Sequence, residues 1–334
     1  MKKFKKMIPV MIVLPFITAI VCLGIGPYYV SPTDTIKAVI QFITGEELVT
    51  KVMYTVIINS RLPRIILAIC AGAALSVAGT TFQAVFSNPL AAPDTLGVSA
   101  GAAFGACVGL LLGVSGLNVQ LLSFGGGITA VILTFLISQG KHQVTTTSLI
   151  LSGVAISAIF GAGTSMVQVM ADPTQTLPDI TYWLMGSLGR ANFTSILIAL
   201  PLLVISIVMI YLFRWRLNTL TLSEWEATSL GVPVKFVRII VIVAATFCTA
   251  TSISMCGMVG WIGILVPHIC RMTFGSDNRL IVPSAVSFGA VSLMILDTLA
   301  RNIASGGLPI SVLTALVGAP IFIVLLRKTG GTNI

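Results

Sequence analysis

Long apolar runs, separated by short polar breaks, dominate the pattern of the chain. A helix needs about 20 apolar residues to cross the hydrocarbon core of a bilayer, and most of these runs reach that length. Charged residues, prolines or glycine-rich segments bound each run, which predicts ten helical spans. The predicted spans are 7–26, 62–83, 94–112, 118–138, 148–169, 194–213, 235–256, 259–270, 280–299 and 308–326.

Three segments need a separate interpretation. The run 259–270 is too short to cross a bilayer alone, which predicts a half-span buried against its neighbours. The segment 178–190 is moderately apolar and lies between spans, so we expect a short extra helix there. The N-terminus imitates a signal peptide, but no small-x-small cleavage site precedes Pro27, and we interpret it as an uncleaved first helix.

The composition agrees with a chain that faces lipid. Apolar residues make up 56% of the sequence and charged residues only 9%, whereas soluble domains carry about 25% charged residues. The mean hydropathy is +1.04. The predicted fold class is therefore an all-α integral membrane protein of about ten transmembrane helices, forming one transmembrane domain over 1–334.

The net charge of +9 bears on orientation and does not indicate a nucleic-acid partner. The basic residues lie at the ends of the apolar runs, where they set the topology of a membrane protein. With the N-terminus inside, 13 of the 19 basic residues fall on the inner side. The positive-inside rule thus predicts a multi-pass protein of the cytoplasmic membrane with both termini in the cytoplasm.

The sequence offers little for catalysis. Gly140-Lys141 is followed by His142 and lacks the earlier glycine of a phosphate-binding loop, so we do not expect this chain to bind ATP. No catalytic triad or metal-ligand pattern is present, and we predict structural roles for His142 and His268. The six cysteines lie in apolar stretches without a CxxC pair and are interpreted as unreactive thiols.

The predicted spans also lack the internal charges of a proton relay. A charge at mid-membrane costs about 2.5–3.5 kcal/mol, which proton-coupled carriers accept because they need the group. Here Asp94 and Asp297 lie near predicted helix ends. An ion-driven secondary transporter and a membrane-embedded enzyme are both disfavoured. Without internal metal ligands, an already coordinated or neutral solute fits better than a bare metal ion.

One predicted cytoplasmic stretch, 220–233, has the signals of a short helix. Ser223 is a candidate N-cap with Glu226 in the capping-box position. Gly231 can end the helix and Pro233 prevents its continuation. The pattern leaves two interpretations open, a docking helix for a cytoplasmic partner and a surface helix at the bilayer interface.

Three separated blocks carry a resemblance to a known family. The chain resembles the permease subunits of iron–siderophore and cobalamin ATP-binding-cassette (ABC) importers, the FecCD type with the type II importer fold. The first block contains Arg61-Leu62-Pro63-Arg64, Gly72 to Gly79, Gln83, Asn88 to Pro93 and Leu96 to Ser99. The second contains Leu230-Gly231 and Gly260 to Arg271, and the third Asp297, Ala300-Arg301, Leu308 to Ile310 and Gly318 to Pro320. Trp261 replaces the usual Phe of the second block, and Ser87 replaces a common Arg.

The resemblance implies an assembly and a solute. The expected partners are a second permease subunit, identical or paralogous, two cytoplasmic ATPase subunits that carry ATP and magnesium, and an extracytoplasmic solute-binding protein. The chain itself is expected to bind no cofactor and to be no enzyme. An iron(III)–siderophore is the expected solute, with cobalamin or haem as alternatives.

The resemblance also implies roles for particular residues. Arg61, Arg64 and Arg301 are expected to face outward and dock the binding protein, since guanidinium groups pair well with carboxylates. The residues expected to couple the permease to the ATPase are Ser223, Glu224, Glu226, Ala227, Leu230 and Gly231. A cytoplasmic gate is expected at Thr145, Thr146, Thr147 and Ser148.

Overall fold

The computed structural model describes residues 2–139, 145–222, 224–303 and 307–329, and the regular elements in these ranges are all helical. The helices are α1 (Lys2–Gly24), α2 (Pro32–Thr44), α3 (Lys51–Tyr54), α4 (Leu62–Val85), α5 (Val98–Leu111), α6 (Leu117–Ser138), α7 (Thr146–Met170), α8 (Thr176–Leu184), α9 (Phe193–Thr219), α10 (Glu224–Ser229), α11 (Val234–Cys256), α12 (Ile262–Phe274), α13 (Asn278–Ile303) and α14 (Ile310–Thr329). A π-helical segment, Thr55–Arg61, joins α3 to α4 without a break.

Ten of these helices correspond to the ten predicted spans. Seven are long and apolar enough to cross a membrane, namely α1, the continuous α3–α4 rod, α6, α7, α9, α11 and α13. Of the other three, α5 and α12 are apolar but shorter, and α14 is apolar over Ile310–Leu325. α12 has 13 residues, with Ile262, Val266 and Cys270 among its buried ones, so the predicted half-span is confirmed.

The start of α5 differs from the predicted boundary at 94. Asp94 to Gly97 forms a turn, closed by the Gly97 N–H that donates to the Asp94 carbonyl at 2.8 Å. Gly97 adopts a φ of +79°, which is unfavourable for residues with a β-carbon. The helix therefore begins at Val98, after this glycine.

Three short helices, α2, α8 and α10, lie outside the ten spans, and α10 is described with the inner end below. α8 confirms the extra helix expected near 178–190, although it ends earlier, at Leu184. α2 was not predicted from the sequence. Its signals are nonetheless local, because Ser31 accepts a hydrogen bond from the Asp34 N–H at 3.1 Å, Pro32 occupies the first turn, and Gly45 ends the helix at a φ of +78°.

α4 is the centre of the bundle. Nineteen of its 24 residues are buried, including every residue from Ala71 to Val85. It packs against α9, α11, α12 and α13, so that neighbouring helices surround its second half. Small side chains make this possible, because they let helix backbones approach closely in lipid.

The closest approaches occur at pairs of glycines. A β-carbon on Gly72 would overlap the backbone of Gly289 in α13, and one on Gly289 would overlap Gly72 in return. A β-carbon on Gly79 would likewise overlap the backbone of Gly263 in α12. The glycine-rich runs of the sequence are therefore sites of helix contact.

We predict that Gly289→Ala lowers the midpoint of thermal unfolding in detergent, because its methyl group overlaps the α4 backbone. Forcing an extra carbon into such a contact costs about 1–3 kcal/mol. Gly125→Ala in α6 is the matched control, since a β-carbon there meets no atom within 4 Å. Equal midpoints for both variants would contradict the proposed packing.

Candidate functional site

The candidate residues lie at two ends of the bundle. We call the inner end the one where α4, α6, α9 and α12 finish, and the outer end the opposite one. The distribution of basic residues predicts that the inner end is cytoplasmic. The three arginines expected to dock a binding protein lie at the outer end. The expected coupling and gate residues lie at the inner end.

Arg61 lies inside the outer end, in contrast to the outward orientation implied by the resemblance. Only 4% of its surface is exposed. Its guanidinium donates to the carbonyls of Leu23 at 2.7 Å and Gly24 at 3.0 Å, and also to that of Tyr28. The last carbonyls of a helix have no partner within it. Arg61 therefore caps the C-terminus of α1.

Arg301 is also buried, with 7% of its surface exposed. It donates to the Cys22 carbonyl of α1 and to the Thr298 hydroxyl at 3.4 Å. The Nε and Nη1 atoms of Arg301 have no hydrogen-bond partner among the described residues. Arg61 and Arg301 thus hold the same end of α1 from two sides.

Arg64 pairs with Asp297 across α4 and α13. Its Nε donates to the two carboxylate oxygens at 2.9 and 2.8 Å. The Asp297 side chain is 2% exposed, whereas that of Arg64 is 19% exposed. Arg301 also interacts electrostatically with Asp297. We call Arg61, Arg64 and Arg301 the outer arginine cluster. The Asp297 carboxylate balances part of the charge of this cluster, and Arg64 is its partly accessible member.

At the inner end, α10 confirms the short helix predicted in 220–233. The Gly231 N–H donates to the Thr228 carbonyl at 2.9 Å, and Gly231 ends the helix at a φ of +75°. The helix is shorter than expected and starts at Glu224. Ser223, the candidate N-cap, lies outside the described residues.

One side of α10 is buried against the bundle and the other is exposed. Ala227 is buried beside α11, whereas Trp225 is 80% exposed and Leu230 66% exposed. Glu226 accepts a hydrogen bond from the Leu230 N–H at 3.2 Å through its backbone carbonyl. A protruding tryptophan and leucine on a short helix indicate a surface for a partner or for the bilayer interface.

The four expected gate residues form the first turn of α7. Thr145 is the N-cap and accepts a hydrogen bond from the Ser148 N–H at 3.1 Å. The Ser148 hydroxyl donates to the Ser138 carbonyl at 3.0 Å and thereby joins α7 to α6. Thr146 and Thr147 follow in the same turn. Lys141 and His142 lie outside the described residues.

A further contact at the inner end was missed by sequence reasoning. Asp277, between α12 and α13, accepts hydrogen bonds from the Arg279 guanidinium at 2.8 Å and from the Asn218 amide of α9 at 2.8 Å. The Arg279 hydrogen bond, with help from Asn218, lowers the pKa of the Asp277 carboxyl to about 2. Asp277 thus stays ionised at physiological pH. The only local signal for this contact in the sequence is the run Asp277-Asn278-Arg279 at the start of α13.

Among the described residues, no group of three or more His, Cys, Asp or Glu side chains could hold a metal ion. The cysteines are free thiols, and all of them are buried except the half-buried Cys70.

Comparison with known proteins identifies the class to which this fold belongs. A solved structure described as a metal-chelate type ABC transporter in an inward-facing conformation matches with a TM-score of 0.87 and 34% identity, over 97% of this chain and 99% of its own. The chain is the membrane-spanning permease of an ABC importer. More particularly, it belongs to the FecCD transport family, whose profile matches residues 13–328.

Relatives within this family carry different solute names. The molybdate import system permease protein MolB of Haemophilus influenzae is 38% identical, over 95% of this chain and 94% of its own length. A probable iron chelatin permease of Helicobacter pylori is 35% identical, over 87% of each chain. Other relatives are named as hemin and vitamin B12 permeases.

We predict that Asp297→Asn destabilises the protein more than the double variant Arg64→Gln/Asp297→Asn. The single variant leaves the Arg64 charge without its carboxylate, and breaking a buried pair in this way costs about 3–5 kcal/mol. The double variant removes both charges at nearly constant volume. Thermal unfolding of the purified variants in detergent checks this order. A double variant at least as unstable as Asp297→Asn would contradict it.

Proposed function

We propose that this permease carries an iron(III)–siderophore across the cytoplasmic membrane. The observation that carries the proposal is the match, over nearly the whole length of both chains, to a structure described as a metal-chelate type ABC transporter. The Helicobacter pylori relative, named for an iron chelatin, supports the same class of solute. Cobalamin and haem remain alternatives within the family.

A second candidate solute is the molybdate oxyanion. It is favoured by the Haemophilus influenzae relative, which is 38% identical over 95% of this chain. Molybdate is small and dianionic, whereas a siderophore complex is bulky, so the two candidates differ in what the pathway has to accommodate. Transport measurements separate them directly.

In the proposed assembly, both termini of the permease lie in the cytoplasm. Two ATPase subunits bind at the inner end, where Trp225 and Leu230 of α10 present an apolar surface. A second permease subunit, identical or paralogous, completes the pathway. Closure of the ATPases moves α10, and α11 transmits the movement because Ala227 is buried beside it.

The proposed gate is the turn Thr145 to Ser148. The Thr145 hydroxyl accepts a hydrogen bond from the Ser148 N–H at 3.1 Å, and the Ser148 hydroxyl donates to the Ser138 carbonyl at 3.0 Å. Such hydrogen bonds break and reform without leaving a buried charge unpaired, which suits a constriction of the pathway that opens repeatedly. A movement of α6 relative to α7 would open this turn.

The proposed binding-protein surface is the outer arginine cluster. Arg64 is its most suitable contact, because 19% of its side chain is exposed while Asp297 holds only its Nε. The remaining nitrogens of its guanidinium can pair with a carboxylate of the binding protein. Arg61 and Arg301 contribute positive potential from beneath, and reach the binding protein themselves only if they release α1.

The experiment that tests the solute compares uptake in cells with and without the gene. Labelled iron is offered as hydroxamate, catecholate, citrate or haem complexes, with labelled cobalamin and labelled molybdate in parallel. We expect deletion to abolish uptake of one iron chelate and to leave molybdate and cobalamin uptake unchanged. Loss of molybdate uptake alone would establish the second candidate and overturn the first.

We predict that Trp225→Asp combined with Leu230→Asp detaches the ATPase, because two charges replace the apolar surface of α10. Co-purification of the ATPase with tagged permease should fall at least ~10-fold, the equivalent of about 1.4 kcal/mol. Leu112→Asp is the matched control, since this leucine is 70% exposed at the outer end. If the ATPase stays bound to the double variant, α10 is not its docking helix.

A further inference from the structure

A polar cavity of about 620 Å³ lies at the inner end, between the ends of α4 and α12 and the start of α13. Its wall includes Gln83, His268, Arg271 and Asn278, with Ser87 and Ser276 among its exposed lining residues. None of the roles proposed above uses this cavity.

Three of the lining side chains carry an atom without a hydrogen-bond partner in the described part of the chain. These atoms are Nε2 of Gln83, Nε2 of His268 and Oδ1 of Asn278. Each of the three residues is more than nine-tenths buried. Buried polar groups in native proteins are nearly always paired, with protein or with water, so these three atoms are available to pair with a molecule that enters the cavity.

The charge of the cavity is positive. The Arg271 guanidinium donates to the Gln83 Oε1 atom and forms no ion pair with the described residues. No Asp or Glu is among the lining residues. The neighbouring Asp277 already binds Arg279 and Asn218. The Arg271 guanidinium and the Gln83 amide nitrogen are donors, and His268 Nε2 is a donor in the tautomer that carries its proton there, so the cavity favours an oxyanion.

The unpaired oxygen of Asn278 narrows the choice of ligand. An amide oxygen only accepts hydrogen bonds, so the ligand also has to offer an N–H or O–H group. A fully ionised inorganic oxyanion has no proton to donate. A polypeptide segment supplies both groups, a carboxylate from Asp or Glu and an N–H from its backbone.

The position of the cavity indicates which polypeptide this is. Thr221, three residues before the start of α10, is part of its wall. A subunit that covers the exposed Trp225 and Leu230 therefore also covers the mouth of the cavity. We propose that this cavity receives a carboxylate side chain of the cytoplasmic ATPase subunit, held by Arg271, Gln83 and His268. The inference rests on the proposed binding of the ATPase to α10.

The proposed contact gives the ATPase a second point of attachment. α10 is connected to α9 and α11, whereas the cavity is built from α4, α12 and α13. A carboxylate bound to Arg271 would link the ATPase to the central helix through the bond between Arg271 and Gln83. α10 and the cavity-forming ends of α4 and α12 would then move with the same ATPase subunit.

Site-specific photo-cross-linking in the intact complex tests the location. A photoreactive residue at Ser276, which is exposed and lines the cavity, should cross-link to the ATPase through a peptide that contains Asp or Glu. The same photoreactive residue in place of Trp225 reports only on contact between the ATPase and α10. Cross-linking at Trp225 but not at Ser276 overturns the cavity assignment and leaves the proposed function intact. Failure at both positions overturns both.

Charge variants test the chemistry. Arg271→Gln should weaken binding of the ATPase about tenfold, since a hydrogen bond to a charged group is lost, and Arg271→Lys should recover part of it. Arg271→Glu should be rescued by replacing the cross-linked acidic residue of the ATPase with Arg, which a merely misfolded permease would not allow. Unchanged affinity in a well-folded Arg271→Gln variant would overturn the proposal.

A last experiment distinguishes a carboxylate of the ATPase from a free anion as the occupant of the cavity. Sodium molybdate, sulfate or phosphate, added to the permease without its ATPase at equal ionic strength, should not raise the midpoint of thermal unfolding. A rise that disappears in Arg271→Gln would assign the cavity to a soluble oxyanion and overturn the proposed occupant.

Discussion

The structure depends on how closely α4 approaches its neighbours. Lipid is as apolar as leucine, so helices in a bilayer gain little from the hydrophobic effect when they associate and depend on dispersion at short range. Gly72 against Gly289 and Gly79 against Gly263 bring the backbones of α13 and α12 onto α4. With these contacts the second half of α4 is buried on all sides. The outer arginine cluster lies at the start of this central helix, and the inner cavity lies at its end.

The arginine cluster combines a structural and an electrostatic role. Arg61 and Arg301 satisfy carbonyls at the end of α1, and Arg64 is held by Asp297. In the proposed docking role, these charges would be fixed in position by the fold before the binding protein arrives. The arrangement also means that a partner acting on Arg61 or Arg301 would act on the attachment of α1 to the bundle.

Hydropathy was sufficient to predict the ten spans, including the half-span α12, and capping residues predicted the short α10, because length, apolar content and the stop at Gly231 are local properties of the sequence. The orientation of Arg61 was not predictable in this way. One of its acceptors lies 38 residues earlier, at Leu23, and Arg61 is itself the last residue of a π-helical segment, which no hydropathy pattern indicates. The hydrogen bond between Asp277 and Asn218 was not predictable either, because the two residues are 59 positions apart in the sequence. α2 was missed although its caps were visible, because a short amphipathic helix is not an apolar run.

The shortness of α12 has a consequence for electrical insulation. Its 13 residues extend over about 20 Å, less than the roughly 30 Å of a bilayer's hydrocarbon core. The chain before it, from Gly257 to Trp261, is not helical, and such backbone at membrane depth needs protein or water around it. Protein supplies part of this surrounding, because Gly257 packs closely against Trp183 and Gly186, and the Ser187 N–H donates to the Cys256 carbonyl at 2.8 Å. A barrier to ions beside the short α12 therefore has to include the segment between α8 and α9.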